Sequence, residues 1–172
     1  MSGFFKRIPW GAWAVLTALL IASLHLLGIF ESGLWDPWET HYGEVARNII
    51  ARDDPMDLWW RGGYGPDGKK EQSFASKHAM PFWCMAASMK LFGLGWHKAA
   101  NEMVQPYWPE LALRLPSLLA YWLMIAFWSY VTLRLVSKRA AIFVALALAT
   151  LPQLALVGRQ ATTDIYFVAP IG

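Results

Sequence analysis

The chain has 172 residues, 56% of them hydrophobic and 15% aromatic, with a mean hydropathy of +0.32, a balance too apolar for an ordinary soluble domain. Its formal charge of +3 includes no basic run interleaved with aromatics, which argues against nucleic acid as a partner. One cysteine, Cys84, excludes an internal disulfide, and four scattered histidines show no zinc-ligand spacing.

Trp10 to Phe30 is nearly uncharged and follows Lys6 and Arg7. At about 1.5 Å per residue a helix of this length crosses a ~30 Å hydrocarbon layer, and no small-residue cleavage signature follows, so an uncleaved anchor is predicted. Further apolar runs at 115–135 and 140–157 predict a second and third span, and a fourth begins at 165.

Between the first and second spans lies a loop over residues 31–110, far longer than a simple connection. The stretch "WDPWETHYGEVAR", residues 35–47, reads as a helix start. Asp36 suits the N-cap, Pro37 the first helical position, and Glu39 the third, where it completes a capping box. Trp38, Tyr42, Val45 and Ile49 then form one apolar stripe, and the helix should end near Arg52, before Asp53-Asp54-Pro55. Residues 61–73, "RGGYGPDGKKEQS", read as a mobile turn or hairpin. Pro81 to Leu94 carries Lys90 and is too short to span; Phe82, Met85, Met89 and Phe92 predict a helix lying in the interface, with Trp83 and Trp96 in the aromatic belt.

The charges fit this topology. Lys6 and Arg7 before the first span, and Arg134, Lys138 and Arg139 between the second and third, belong in the cytoplasm. Eleven of the twelve acids fall in residues 31–110 and the twelfth is Asp164, just after the third span. The opening acids and Asp164 are therefore expected on one outer face.

These residues also admit plainer readings. Capping alone accounts for Asp36 and Glu39. Lys77 and His78 read as solvated headgroup anchors, and Arg114 and Arg159 as side chains that snorkel to the interface. Asp164, followed at once by an apolar run, is costly unless partnered or wet, so it reads as functional, with a helix cap as the alternative.

The ordered set "PWETHYGEVAR" at 37–47, "FASKHAMPFW" at 74–83, "LFG" at 91–93, "RLPS" at 114–117 and "GRQATTD" at 158–164 resembles the amino-terminal portion of the GT-C class of membrane glycosyltransferases. Within that class the motifs resemble those of the lipid A aminoarabinose transferases and the protein O-mannosyltransferases. The resemblance implies an all-α polytopic membrane protein, its transmembrane helices joined by a long extracytoplasmic loop that carries amphipathic juxtamembrane helices. It also implies a single domain, residues 1–172, in the plasma (inner) membrane, with the site facing outside the cytoplasm. Further spans or partner subunits would complete the cavity.

The implied activity is transfer of a sugar from a polyprenyl-phosphate donor to a lipid or protein hydroxyl, with membrane lipids as surroundings. Asp36, Glu39 and Asp164 are the implied catalytic carboxylates, with Asp36 and Glu39 also the candidates for a divalent metal ion. Lys77, His41 and Arg47 would hold the donor phosphate, and Tyr42 and Arg114 would be structural. Trp38 stands where the family has the first acid of its pair, and Ser76 where it has a glutamate before the lysine. Those two departures keep open a catalytically inactive scaffold or lipid-binding subunit.

Overall fold

A computed structural model describes residues 9–29, 33–35, 37–56, 58–60, 72–74, 77–97, 102–104 and 108–171. Asp36, Ser76, residues 61–71 and the side chain of Trp96 lie outside the described residues. The architecture is mostly helical. Helix α1 (Trp10–Leu26) leads to α2 (Trp38–Arg52), then α3 (Ala79–Leu91), α4 (Pro109–Leu135), α5 (Lys138–Thr150), α6 (Pro152–Arg159) and α7 (Ile165–Ile171). Two short antiparallel ribbons interrupt the sequence. Strand β1 (Trp59–Trp60) pairs with β2 (Gln72–Ser73); most of the glycine-rich stretch expected to form a turn or hairpin lies outside the described residues. Strands β3 (Gly95–His97) and β4 (Glu102–Val104) form the other, which the sequence reading did not place.

Helix α4 is long and apolar enough to cross a membrane. Its upper turns join one core with α2 and α3, where Val45, Ala46, Phe82, Met85 and Leu113 are buried. Its middle joins a second core with α1, α5 and α7 through Ile21, Leu118, Tyr121, Ala145 and Ile165. On α5 the buried residues are Ala141, Ala145 and Ala149, small side chains at one helical repeat that let helices approach closely. Helix α1, at 17 residues, is a shorter apolar helix than the run at 10–30 predicted, because the chain turns at Gly28 with φ +72°.

The expected third span is one apolar run in sequence but two helices in the structure. Pro152 breaks it, and α5 and α6 meet at 65°. Proline has no N–H for the carbonyl four residues back, and the end of any helix leaves carbonyls without partners. Tyr121 Oη donates to the Leu148 carbonyl (2.7 Å), and His25 Nε2 meets the Ala149 carbonyl (2.9 Å). Trp122 Nε1–H donates to His25 Nδ1 (3.0 Å), which places the imidazole proton on Nε2 and keeps the ring neutral. The bend is thus held by side chains from α1 and α4, as broken helices in apolar surroundings require. Gly158 brings α6 hard against α4: a Cβ there would lie 2.4 Å from Tyr121 Cδ1.

The predicted stripe on α2 is shifted. Tyr42, Val45 and Ile49 are buried as expected, but Trp38 is 60% exposed and Glu39 takes the inward place. The reason is an ion pair, described next. The interfacial stripe on α3 turns inward too, with Phe82, Met85 and Met89 packed on α2 and α4.

Candidate functional site

Arg114 lies in the second turn of α4 and is 3% exposed; it does not snorkel outward as its place near a span end predicted. Its Nε and Nη2 donate to Glu39 Oε1 (2.9 Å) and Oε2 (2.7 Å) in a two-pronged pair. Nη1 also donates to the Ile29 carbonyl (2.8 Å) and Nη2 to that of Gly33 (2.9 Å), tying down the segment between α1 and α2. Glu39 is 1% exposed, and its remaining lone pairs accept the N–H groups of Trp35 (2.8 Å) and Ala161 (2.7 Å).

Burial acts to raise the Glu39 carboxyl, but Arg114 and the two backbone N–H groups outweigh it, so its pKa falls below the usual carboxylate value. Glu39 does fold back, onto the Trp35 N–H, and the residue flanking the helix is Pro37, with no side-chain cap; the expected N-cap, Asp36, lies outside the described residues.

The Ala161 bond carries this clamp to the far end of the chain. Residue 161 belongs to the turn between α6 and α7, so Glu39 fixes the backbone three residues before Asp164. Asp164 starts α7 through its carbonyl, which accepts the N–H groups of Phe167 (3.0 Å) and Val168 (3.1 Å). Its carboxylate turns elsewhere and pairs with Lys77 Nζ at 3.3 Å across 87 residues of sequence. The side chains are 37% and 64% exposed, so the pair faces solvent.

Lys77 sits just before α3 and close to an aromatic cluster. Tyr42 on α2 meets Phe74 (6.2 Å) and Phe82 (5.7 Å) edge-on, and Phe74 meets Phe82 at 5.5 Å. These contacts hold Phe74 and Phe82 against Tyr42 on α2. His78 lies 4.9 Å from the ring of Phe167, a second tie between the start of α3 and α7.

The structure therefore brings Lys77 and Asp164 together, and the Ala161 N–H ties the turn before Asp164 to the buried Glu39–Arg114 pair. His41 and Arg47 lie on the half-buried flank of α2, where Arg47 pairs with Glu44 at 3.7 Å. Asp36 lies outside the described residues. Among the described residues no three His, Cys, Asp or Glu side chains gather as metal ligands, and every lone pair of Glu39 is engaged. Glu39 therefore has no lone pair left to offer a divalent ion.

Sequence reasoning missed Trp35, Ala161 and the Glu39–Arg114 partnership. A signal for the last was present: "ALRLP" sets one arginine among apolar residues near the start of α4, and a buried charge needs a partner.

No family model matches the chain, and no solved structure does. Over 44 residues, 26% of this chain, it is 39% identical to the undecaprenyl phosphate-alpha-4-amino-4-deoxy-L-arabinose arabinosyl transferase of Serratia proteamaculans (strain 568). The matched segment is 8% of that relative's length.

Proposed function

We propose, from that likeness to an arabinosyl transferase, that this chain belongs to a membrane glycosyltransferase that takes its sugar from a polyprenyl-phosphate donor and delivers it to a lipid or protein hydroxyl. In this reading the protein is polytopic, in the plasma (inner) membrane. Helices α1, α4 and the bent pair α5–α6 cross the bilayer, α7 starts the next span, and the Lys77–Asp164 end faces outside the cytoplasm. Supporting it, the exposed faces of α1, α4 and α5 are apolar, with Leu19, Leu123 and Phe143 at 59%, 70% and 73% exposure.

The observation that carries the chemistry is the Lys77–Asp164 pair. Transfer needs a carboxylate to take the proton of the attacking hydroxyl and a cation to hold the charge growing on the leaving phosphate. An exposed ion pair is weak, about 0–1 kcal/mol, so an arriving phosphate can take Lys77 from Asp164. Lys77 then binds the phosphate, and Asp164 is released to accept the hydroxyl proton. The acceptor oxygen bonds to the anomeric carbon, the bond from that carbon to the phosphate oxygen breaks, and polyprenyl phosphate departs. Asp36 is a second candidate base, and His41 and Arg47 are further donors to the phosphate. Glu39 acts as a positioning residue, because its lone pairs are filled.

A second reading, an inactive scaffold or lipid-binding subunit, is favoured by Trp38 at the first acid position and by the saturated carboxylate of Glu39.

Sugar transfer from a polyprenyl-phosphate donor, measured on the whole protein with and without divalent ion, tests the proposal. Transfer that Asp164→Asn abolishes supports the enzyme. No transfer under either condition, from protein that still binds the donor, leaves the scaffold. Labelling of a cysteine at position 164, in protein whose Cys84 is replaced, reads out which side of the membrane the site faces.

A further inference from the structure

A cleft of about 330 Å³ opens beside Arg114, between the turn after α1 and the length of α6. Most of its lining is apolar, with Ile29, Pro152, Ala155 and Leu156 on it; Trp35, Gln160 and Arg159 complete the wall. Arg114 also reaches this wall, but its charge is matched by Glu39 at 2.7 Å. Arg159 is different. Its Nη2 donates to the Leu27 carbonyl, a neutral acceptor, so among the described residues its charge has no counter-ion. No carboxylate is among the described residues that line the cleft. Gly28, with φ +72°, makes the turn beside that carbonyl, and its Cα hydrogen faces Arg159: a Cβ there would lie 3.9 Å from Nη2.

We propose that this cleft is a binding site for the phosphodiester headgroup of an anionic membrane phospholipid, separate from the Lys77–Asp164 site. Three features select that class. A cationic fork with no counter-ion among the described residues favours a phosphate, which arginine engages through paired N–H donors. A volume at the low end of ligand pockets admits a headgroup but not a whole lipid. The apolar wall leads out to Leu151 and Leu156, 47% and 50% exposed, along which an acyl chain can lie. Trp35, 55% exposed, supplies the amphipathic ring that favours headgroup depth. Since the turn after Arg159 carries Ala161 and Asp164, a bound lipid would steady the same backbone that presents the Lys77–Asp164 pair.

The inference rests on the membrane reading above, and the two fail differently. A chain that stays in solution without detergent refutes the membrane reading. A chain embedded in bilayers but indifferent to headgroup refutes this site alone.

The test measures the association of spin-labelled phosphatidylglycerol and phosphatidylcholine with the whole protein in phosphatidylcholine bilayers. Wild type is expected to prefer phosphatidylglycerol, and Arg159→Gln to lower that preference several-fold to about tenfold, the loss of a charge-assisted bond. Arg134→Gln, at the other end of α4, is expected to leave it unchanged. If Arg159→Gln fails to fold, Arg159→Lys keeps the charge but loses the fork, and a partial loss is expected. Equal preference in wild type and the Arg159 variant overturns the site. So does preference removed by inorganic phosphate but not by chloride at equal ionic strength, since that marks a site for the free anion.

Discussion

Arg114 closes on Glu39 across 75 residues of sequence with bonds of 2.9 and 2.7 Å, and through that pair four separate segments are locked at one point. The segment after α1 is held by the Ile29 and Gly33 carbonyls, α2 by Glu39, α4 by Arg114, and the turn before α7 by the Ala161 N–H.

Breaking this pair is expected to cost about 3–5 kcal/mol, because either partner alone is a buried, uncompensated charge. Glu39→Gln presents a carboxamide N–H to a site filled with donors, and Arg114→Met leaves the carboxylate without its cation. Both variants should unfold at a lower temperature in detergent. Wild-type Tm in Glu39→Gln would show that the pair contributes nothing.

The same carboxylate gives stability a pH dependence. Its folded pKa is lowered relative to the ordinary 4.5, so its contribution is present in full above that value. It drains away as pH falls through the depressed value, where the folded carboxylate is finally protonated. Unfolding scans from neutral to acid pH should therefore show a loss of Tm below the usual carboxylate range that Glu39→Gln does not share. Parallel curves would assign the acid sensitivity to other groups.

Lys77 and Asp164 should behave in the opposite way. Their pair is exposed, so Asp164→Asn and Lys77→Met are expected to change Tm little. In transfer assays Asp164→Asn should lower kcat by about 10²–10⁴-fold, the range for a lost general base, while Lys77→Met raises the donor KM. An unaltered kcat in Asp164→Asn removes it from the chemistry.

The bend between α5 and α6 makes two further expectations. Tyr121→Phe leaves the Leu148 carbonyl without its 2.7 Å donor and should cost about 1–3 kcal/mol. Gly158→Ala puts a methyl 2.4 Å from Tyr121 Cδ1, so α6 must move away from α4; overpacking of this kind costs about 1–3 kcal/mol. Thermal unfolding of both variants checks this, and full stability in Gly158→Ala would show that α6 can shift freely.

The particular residues show how far local pattern reaches. Helix α2 ends at Arg52 as read, since Asp53 takes a left-handed conformation (φ 54°) before the Asp54–Pro55 turn. Helix α3 appears at its predicted place because proline, aromatic and methionine spacing is a local signal. The side chain that fills the buried edge of α2 was misassigned. Trp38 has the better hydrophobic claim, yet Glu39 wins because Arg114, invisible from position 39, is waiting on another helix.

By itself the sequence determined where α2 and α3 form, that the 115–135 run is a long apolar helix, and that Asp164 had to be either partnered or wet. Each follows from interactions between near neighbours or from composition. Only the tertiary structure decided that Lys77 is that partner, that Glu39 is sealed into a support rather than left open to substrate, and that α5 and α6 part at Pro152 on a Tyr121 and His25 brace. Those outcomes depend on hydrogen bonds between residues 27 to 124 positions apart, and a linear pattern does not encode the distances that close them.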